Sequence, residues 1–178
     1  MTRHASLAAA LLLIALTASL AAQKADDLSA IPHFFKTSDT VWAGGQPTAE
    51  QLTALKQHGI KVVINLRVPT EGNGEGSREA ATLKDLGVAY FNVPVIYAEP
   101  KTSDVDTFLK VTDEQLPNGP VFIHCTAGIR AGAFWMIRRV LRDGWDFDKA
   151  LDEAHKIGLG NQQFLIDFAK QYIAGQKK

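Results

Sequence analysis

Short apolar runs, each followed by a stretch with helical spacing, constrain the fold of this chain more than any other feature. Residues 61–66 and 121–124 have the β-branched and apolar density of buried strands. Residues 41–46 form a short strand that runs into a Gly-Gly turn, and residues 88–95 form another strand. Strands that alternate with helices predict right-handed crossovers and a parallel sheet. The expected fold class is therefore α/β, with a mostly parallel central sheet flanked by helices.

The helices carry recognisable start and stop signals. Thr48 and Gln51 have the spacing of a capping box, and Gly59 marks the end of the helix that they start. Helical spacing recurs in residues 77–86 and 102–116. Three more helical segments follow position 130, so we expect a helical C-terminus.

The N-terminal segment has the composition of a targeting signal. Arg3 and His4 precede an Ala/Leu-rich run, and Ser19 and Ala21 have the small side chains that a signal peptidase needs. The run is too short and too interrupted for a stable membrane span, which needs about 20 apolar residues. We predict a signal peptide at 1–22, a single domain at 23–178, and a periplasmic or secreted protein without membrane contact after cleavage.

Charge and cysteine content narrow the possible functions. The 19 basic residues balance the 19 acidic ones, so no global field favours nucleic acid or an anionic membrane as a partner. Cys125 is the single cysteine, so an internal disulfide is excluded. A lone thiol is a liability in an oxidising compartment unless it is buried or used. It could be a small buried hydrophobe, but the residues around it favour a reactive role.

Residues 124–130 link a predicted strand to a predicted helix through a glycine-containing loop. Ligands of parallel sheets bind outside the carboxyl ends of the strands. Loop N–H groups and the helix N-terminus attract anions, and both favour the thiolate of Cys125. Arg130 opposes the helix dipole, so helix stability does not explain it. A role in binding would explain Arg130, because a guanidinium can face a bound oxyanion. Gly128 lets the backbone approach such a ligand.

This loop resembles that of the cysteine phosphatases of the protein-tyrosine and dual-specificity type. Together with the segments 44–48 and 62–67, it is similar to the bacterial beta-lactamase-hydrolase-like phosphatase domain over roughly residues 41–158. The resemblance implies hydrolysis of phosphoric monoesters through a Cys125 thiophosphate, without a metal or other cofactor. Its substrate would be a phosphorylated small molecule or a phosphoprotein.

The same resemblance implies roles for individual residues. Cys125 would be the nucleophile, Arg130 the phosphate clamp, and His124 the residue that orients the loop and helps to hold the thiolate. The loop residues expected to bind substrate are Thr126, Ala127, Gly128 and Ile129.

For the general acid and the outer part of the site, the sequence offers more than one interpretation. Phosphatases take an acidic residue from the loop after the strand that ends near position 95, where Glu99 is the nearest carboxylate. The alternatives are Asp104 as the acid and Glu99 as a solvated charge. Arg67 could bind substrate or form a surface ion pair, and the glycine-rich loop 69–76 could be a mobile substrate-selecting segment.

Two departures from the tyrosine phosphatases keep other functions open. Four residues, rather than five, separate Cys125 from Arg130, and Ala131 stands where these enzymes usually carry Ser or Thr. Rhodanese-type sulfurtransferases share the shorter spacing, so a Cys125 persulfide is one alternative. A non-catalytic phosphate-binding module is another. The Gly-Gly-Gln-Pro segment and the Asn-Leu-Arg strand end favour the phosphatase.

Overall fold

A five-stranded sheet forms the centre of the computed structural model, which describes residues 27–176. The strands are β1 Phe35–Lys36, β2 Val41–Gly44, β3 Val62–Asn65, β4 Ala89–Asn92 and β5 Val121–His124. Their order is β1-β2-β5-β3-β4, with β1 antiparallel to β2 and all other neighbours parallel. The predicted α/β class with a mostly parallel sheet is confirmed.

Six α-helices accompany this sheet in the described part of the chain. They are α1 Ala49–Gln57, α2 Glu75–Asp85, α3 Thr102–Gln115, α4 Ile129–Leu141, α5 Phe147–Ile157 and α6 Gln163–Gln176. Short 3-10 turns lie at Leu28–Ala30 and Leu116–Asn118. From β5 to position 176 the regular elements are all helices, so the predicted helical C-terminus is also confirmed.

The capping box at the start of α1 is formed as predicted. The Thr48 hydroxyl accepts from the Gln51 backbone N–H at 3.2 Å, and the Gln51 side-chain oxygen accepts from the Thr48 N–H at 2.9 Å. These two bonds satisfy donors that a helix start otherwise leaves unpaired. They fix the direction in which the chain leaves β2.

Helices pack on both faces of the sheet and bury two apolar clusters. One contains Phe108, Phe134 and Trp135, and the other contains Trp42 and Leu55. Both tryptophans and Phe134 are buried in these clusters. Full burial of a large apolar side chain contributes about 1.5–3 kcal/mol, so these clusters hold the helices against the sheet.

Element boundaries differ from the sequence-based expectations by a few residues. The strand expected at 88–95 is confined to Ala89–Asn92, and Pro94 lacks the N–H that a longer ladder would need. The helix expected at 77–86 begins earlier, at Glu75, directly after a left-handed Gly74. The predicted signal peptide lies outside the described residues. Within 27–176, no helix has the length and hydropathy needed to cross a membrane.

Candidate active site

The four parallel strands end at the same level of the sheet. Gly44 is paired in register with His124, His124 with Asn65, and Asn65 with Asn92. The segments that leave these strand ends therefore start side by side. This edge is where ligands of parallel sheets bind.

The Cys125 loop begins at the carboxyl end of β5 and runs into α4. Cys125 is 1% exposed, and its N–H donates to the Gly44 carbonyl at 3.4 Å. Gly128 has a left-handed φ of 84°, and a Cβ there would collide with the Ile157 carbonyl oxygen. This position therefore needs glycine for both its dihedral angle and its neighbour.

The Gly-Gly-Gln-Pro segment forms one wall of the same loop. Gly45 makes an isolated bridge with Ala127, and the Gln46 N–H donates to the Thr126 carbonyl at 3.1 Å. A Cβ on Gly45 would lie 2.8 Å from that carbonyl oxygen. The close approach explains why glycine occurs here and why this segment accompanies the cysteine loop.

Arg130 is anchored across the site rather than extended into solvent. One terminal nitrogen donates to the carbonyl oxygens of Val95 at 2.8 Å and Leu66 at 3.3 Å, and the other donates to the Thr126 hydroxyl at 3.1 Å. Burial disfavours its charged form, but hydrogen bonds to Glu71 and the charge of Cys125 outweigh this and raise the pKa of Arg130. Its guanidinium is therefore fixed and charged beside the thiol.

Glu71 is a major site residue that the sequence did not reveal. Its two carboxylate oxygens accept from the two terminal nitrogens of Arg130 at 2.6 and 2.7 Å. The Thr126 hydroxyl donates to it at 2.9 Å, and the Val68 N–H at 3.2 Å. The sequence suggested a mobile, substrate-selecting loop here. That role stays a prediction; in the structure, Glu71 is hydrogen-bonded to Arg130.

The contacts of Glu71 exclude it as the general acid and support a role in positioning Arg130. Hydrogen bonding to Arg130, opposed by burial and reinforced by Thr126, lowers the pKa of Glu71 to about 2. A carboxyl group that Arg130 keeps ionised down to about pH 2 has no proton to give at working pH, so Glu71 is not the general acid. A bidentate carboxylate does fix the plane of a guanidinium, so Glu71 is a positioning residue for Arg130.

The charge of Glu71 makes a pH-dependent contribution to stability. The pKa of Glu71 falls from 4.5 to about 2 on folding, so its ion pair stabilises the protein above the unfolded value and this contribution is lost as the pH falls towards the folded value. We expect Glu71→Gln to lower the free energy of unfolding near neutrality. The deficit should shrink to nothing as the pH approaches about 2.

Urea unfolding followed by tryptophan fluorescence at a series of pH values measures this difference. The matched control is Glu114→Gln, which removes an exposed partner that lies 4.0 Å from Lys110; such pairs contribute little. A Glu71→Gln deficit that stays constant across the acid range would mean that packing, and not charge, is lost.

Arg67 is buried against protein acceptors. It donates to Glu75 at 2.6 Å and to Glu71 at 3.3 Å, and it lies 2.5 Å from the Gln46 side-chain oxygen. The alternative of an ion pair is thus realised, but at a side chain only 6% exposed rather than at the surface. Its expected contribution to substrate binding stays a prediction.

His124 lies behind the Cys125 loop and is completely buried. Its ring stacks on Phe122 with centroids 5.5 Å apart, and its Nε2 atom is 2.7 Å from an oxygen of Glu79. Glu79, on α2, is a second buried carboxylate that the sequence did not reveal. The remaining loop residues, Thr126, Ala127, Gly128 and Ile129, range from exposed to buried along the turn.

The two carboxylates considered for the general acid have different surroundings. Glu99 is exposed in a turn after β4, where its N–H donates to the Ile96 carbonyl at 3.1 Å. The Asp104 carboxylate accepts from the Lys101 N–H at 2.9 Å and so caps α3. Capping occupies Asp104, which favours Glu99, although the acid role stays a prediction.

Three histidines, His33, His58 and His155, are exposed, and their spacing in the sequence is not one that metal ligands use. Among residues 27–176, no group of three or more His, Cys, Asp or Glu side chains could hold a metal ion.

The family described as "DSP-PTPase phosphatase fused to NAD+ Kinase" matches residues 23–166. The chain belongs to this family. The predicted resemblance to dual-specificity and tyrosine phosphatases is therefore confirmed, and the sulfurtransferase alternative is not favoured.

Individual relatives agree with this assignment. Dual specificity protein phosphatase TpbA of Pseudomonas aeruginosa is 26% identical over 144 residues, which cover 80% of this chain and 62% of TpbA. The beta-lactamase hydrolase-like protein of Agrobacterium fabrum is 27% identical over 108 residues, covering 60% of this chain and 25% of the relative. The chain thus spans less than two thirds of the length of these curated relatives.

Solved structures show the same fold. The crystal structure of P. aeruginosa TpbA superposes with a TM-score of 0.64 at 23% identity, covering 81% of this chain and 84% of that one. The core catalytic domain of the PP-IP phosphatase SIW14 from S. cerevisiae gives 0.66 at 19% identity, covering 79% and 85%. These likenesses confirm the cysteine-phosphatase fold.

Proposed function

We propose that the chain hydrolyses phosphoric monoesters through a phosphocysteine formed on Cys125. The observation that carries this proposal is the pairing of a buried Cys125 with a fixed Arg130 on one loop, at the carboxyl end of β5. Membership of a phosphatase family supports it. The thiolate supplies the nucleophile, and the clamp supplies charge-assisted hydrogen bonds to the phosphoryl oxygens.

The reaction proceeds in two steps. The Cys125 sulfur attacks phosphorus, the S–P bond forms, and the bond from phosphorus to the ester oxygen breaks. Glu99 gives its proton to that departing oxygen. Water then attacks phosphorus, the S–P bond breaks, and phosphate leaves with the thiolate restored. Backbone N–H groups of the loop 126–129 and the guanidinium of Arg130 hold the phosphoryl oxygens throughout.

An exposed apolar rim supports aryl esters as the substrate class. The exposed large apolar side chains of the described residues are Ile96, Tyr97 and Phe164. The Tyr97 and Phe164 rings meet edge to face with centroids 5.3 Å apart, and the Tyr97 hydroxyl donates to Gln162 at 2.6 Å. Ile96 follows the Val95 carbonyl that binds Arg130, so the rim begins beside the clamp. A TpbA variant has been crystallised with pTyr, which agrees with this substrate class.

The site of action is proposed to be the periplasm or the extracellular space. The support is the charged N-terminus, the short apolar run and the small residues that follow it within positions 1–22. The single cysteine is compatible with such a location, because Cys125 is buried within the fold.

A comparison of leaving groups tests the proposed chemistry. A carboxylic acid matters most when the leaving oxygen is basic, because it must be protonated as it departs. We expect Glu99→Gln to slow phenyl phosphate hydrolysis by about 10²-fold and 4-nitrophenyl phosphate hydrolysis only a few-fold. Sulfur transfer from thiosulfate releases sulfite, which needs no proton. We expect the wild-type protein to show esterase activity and no thiosulfate:cyanide transferase activity.

Asp104→Asn is the matched control, since it removes the competing carboxylate from the same segment. This variant should change the hydrolysis rates of phenyl phosphate and 4-nitrophenyl phosphate by the same factor. Equal slowing of both esters by Glu99→Gln, or none, would remove Glu99 as the acid. Transfer of sulfur to cyanide without ester hydrolysis would overturn the phosphatase.

A further inference from the structure

Glu79 is a carboxylate in the interior of the protein, behind the catalytic loop. The residue is 4% exposed, and the fully buried His124 lies 2.7 Å from one of its oxygens. The ring N–H is not aimed along the line between the two atoms, and neither atom has another hydrogen-bond partner among the described residues. Two bare acceptor atoms would repel at this distance, so one of the two groups carries a proton. Isolated buried charges are costly, so this pair requires an explanation.

The second oxygen of Glu79 is surrounded by hydrogen-bond donors. It accepts from the side-chain nitrogen of Asn65 at 2.9 Å and from that of Gln46 at 3.3 Å. The Asn65 amide is oriented by the Arg67 N–H, which donates to its oxygen at 2.8 Å. The Arg67 guanidinium orients Gln46 in the same way. Donors directed at a carboxyl group favour its charged form.

His124 then faces an acceptor on each ring nitrogen. Its Nδ1 atom is 3.4 Å from the carbonyl oxygen of Cys125, and its Nε2 atom is 2.7 Å from an oxygen of Glu79. A carbonyl and a carboxylate can only accept. A neutral imidazole has one N–H, whereas the imidazolium has two. With Glu79 as a carboxylate, both contacts are satisfied only when the ring is charged.

We propose that Glu79 is a positioning residue that keeps His124 charged behind the Cys125 loop and so favours the Cys125 thiolate. Loss of the Glu79 charge leaves a buried imidazolium uncompensated, and the ring gives up its proton. The thiolate then loses a positive neighbour. The catalytic meaning of this device rests on the proposed function, whereas its effect on the thiol does not.

Other ionisable groups face the pair from three elements. Cys125 lies on the loop of His124 itself. Tyr90, on β4, accepts from Asn65 at 3.1 Å, and burial followed by the charge of Glu79 raises the pKa of Tyr90. Arg67, at the end of β3, is already neutralised by Glu75 and Glu71. Tyr90 is therefore neutral in the working range, and Glu79 is the charge that His124 responds to.

Alkylation of the thiol by iodoacetamide tests the proposal without any need for hydrolysis. Cys125 is the single cysteine of the chain, so the rate reports on this thiol alone. We expect Glu79→Gln to slow alkylation about tenfold near pH 6 and less than about twofold near pH 9, where thiols ionise without help. The matched control is Asp85→Asn, an exposed carboxylate on the same helix, which should behave as the wild type.

Three outcomes would overturn the proposal. An equal loss at every pH would make Glu79 a packing residue only, and no loss would remove it from the mechanism. A His124→Asn background should abolish the pH-dependent part of the Glu79→Gln effect, and persistence of that part would mean that Glu79 does not act through His124.

A measurement on the unaltered protein covers the case in which a variant does not fold. Side-chain NMR of labelled histidines should show the His124 ring still charged at about pH 8, above the ordinary histidine pKa of about 6.5. A His124 ring that is neutral at this pH would contradict the proposal. Absence of phosphatase activity with a normal alkylation result would count against the proposed function alone.

Discussion

Replacement of Cys125 by Ser is expected to abolish hydrolysis of every phosphoester, a loss of roughly 10⁴-fold or more. A serine hydroxyl is not ionised at neutral pH, and the two carboxylates nearest the loop are already engaged, Glu71 by Arg130 and Glu79 by His124. The S–P bond of the first step cannot form. Initial rates on phenyl and 4-nitrophenyl phosphate measure the loss.

The Cys125→Ser variant should lose the covalent step and keep the ability to bind the anion. Arg130 and the loop N–H groups are unchanged by the substitution, so vanadate or phosphate should bind with wild-type affinity in calorimetry. Acid quenching during turnover of a ³²P-labelled ester should trap label on the wild-type protein and none on Cys125→Ser. Residual turnover by the variant, with unchanged pH dependence, would show that Cys125 is not the nucleophile.

The fold was predictable because its signals are local. The buried runs at β3 and β5 and the capping box of Thr48 and Gln51 each depend on residues within one turn or one strand. Alternation of such elements then determines a parallel sheet. Boundaries were less predictable: β4 stops at Asn92 although apolar residues continue, since Pro94 has no N–H to continue the ladder.

The site was predictable only where its residues are contiguous. Cys125 and Arg130 share one loop, so a short motif contains both the thiol and its cation. Glu71 and Arg130 are 59 positions apart in the sequence. Glu79 contacts His124 although β4 and α3 lie between them in the sequence. A glutamate in a glycine-rich loop and another on an amphipathic helix look like solvated charges. Only the alignment of the parallel strand ends brings these two carboxylates to the cysteine loop, Glu71 beside Arg130 and Glu79 behind His124.

The same contacts explain why the Gly-Gly-Gln-Pro and Asn-Leu-Arg segments accompany the cysteine loop. Gln46 and Asn65 both donate to Glu79, and Arg67 orients both amides. Arg67 also contacts Glu71, which holds the clamp. One hydrogen-bonded network therefore supports the loop from behind its histidine and from beside its arginine.

Substitution of Arg130 by Lys tests the clamp at constant charge. The guanidinium donates to two carbonyl oxygens, to both oxygens of Glu71 and to Thr126, and it still has to present a planar edge to the phosphoryl group. An ammonium has three donors and no plane, so it cannot keep the carbonyls, Glu71 and the substrate together.

We expect Arg130→Lys to lower kcat/KM by about 30-fold or more, which corresponds to about 2 kcal/mol of transition-state binding. Vanadate affinity should fall in parallel, because the lost contact is with the phosphoryl oxygens. Arg142→Lys is the matched control. It lies just after the far end of α4, roughly 18 Å along the helix, and pairs with Asp113 at the surface. If Arg130→Lys binds vanadate as tightly as the wild type, Arg130 serves the fold, and the loop N–H groups alone hold the phosphate.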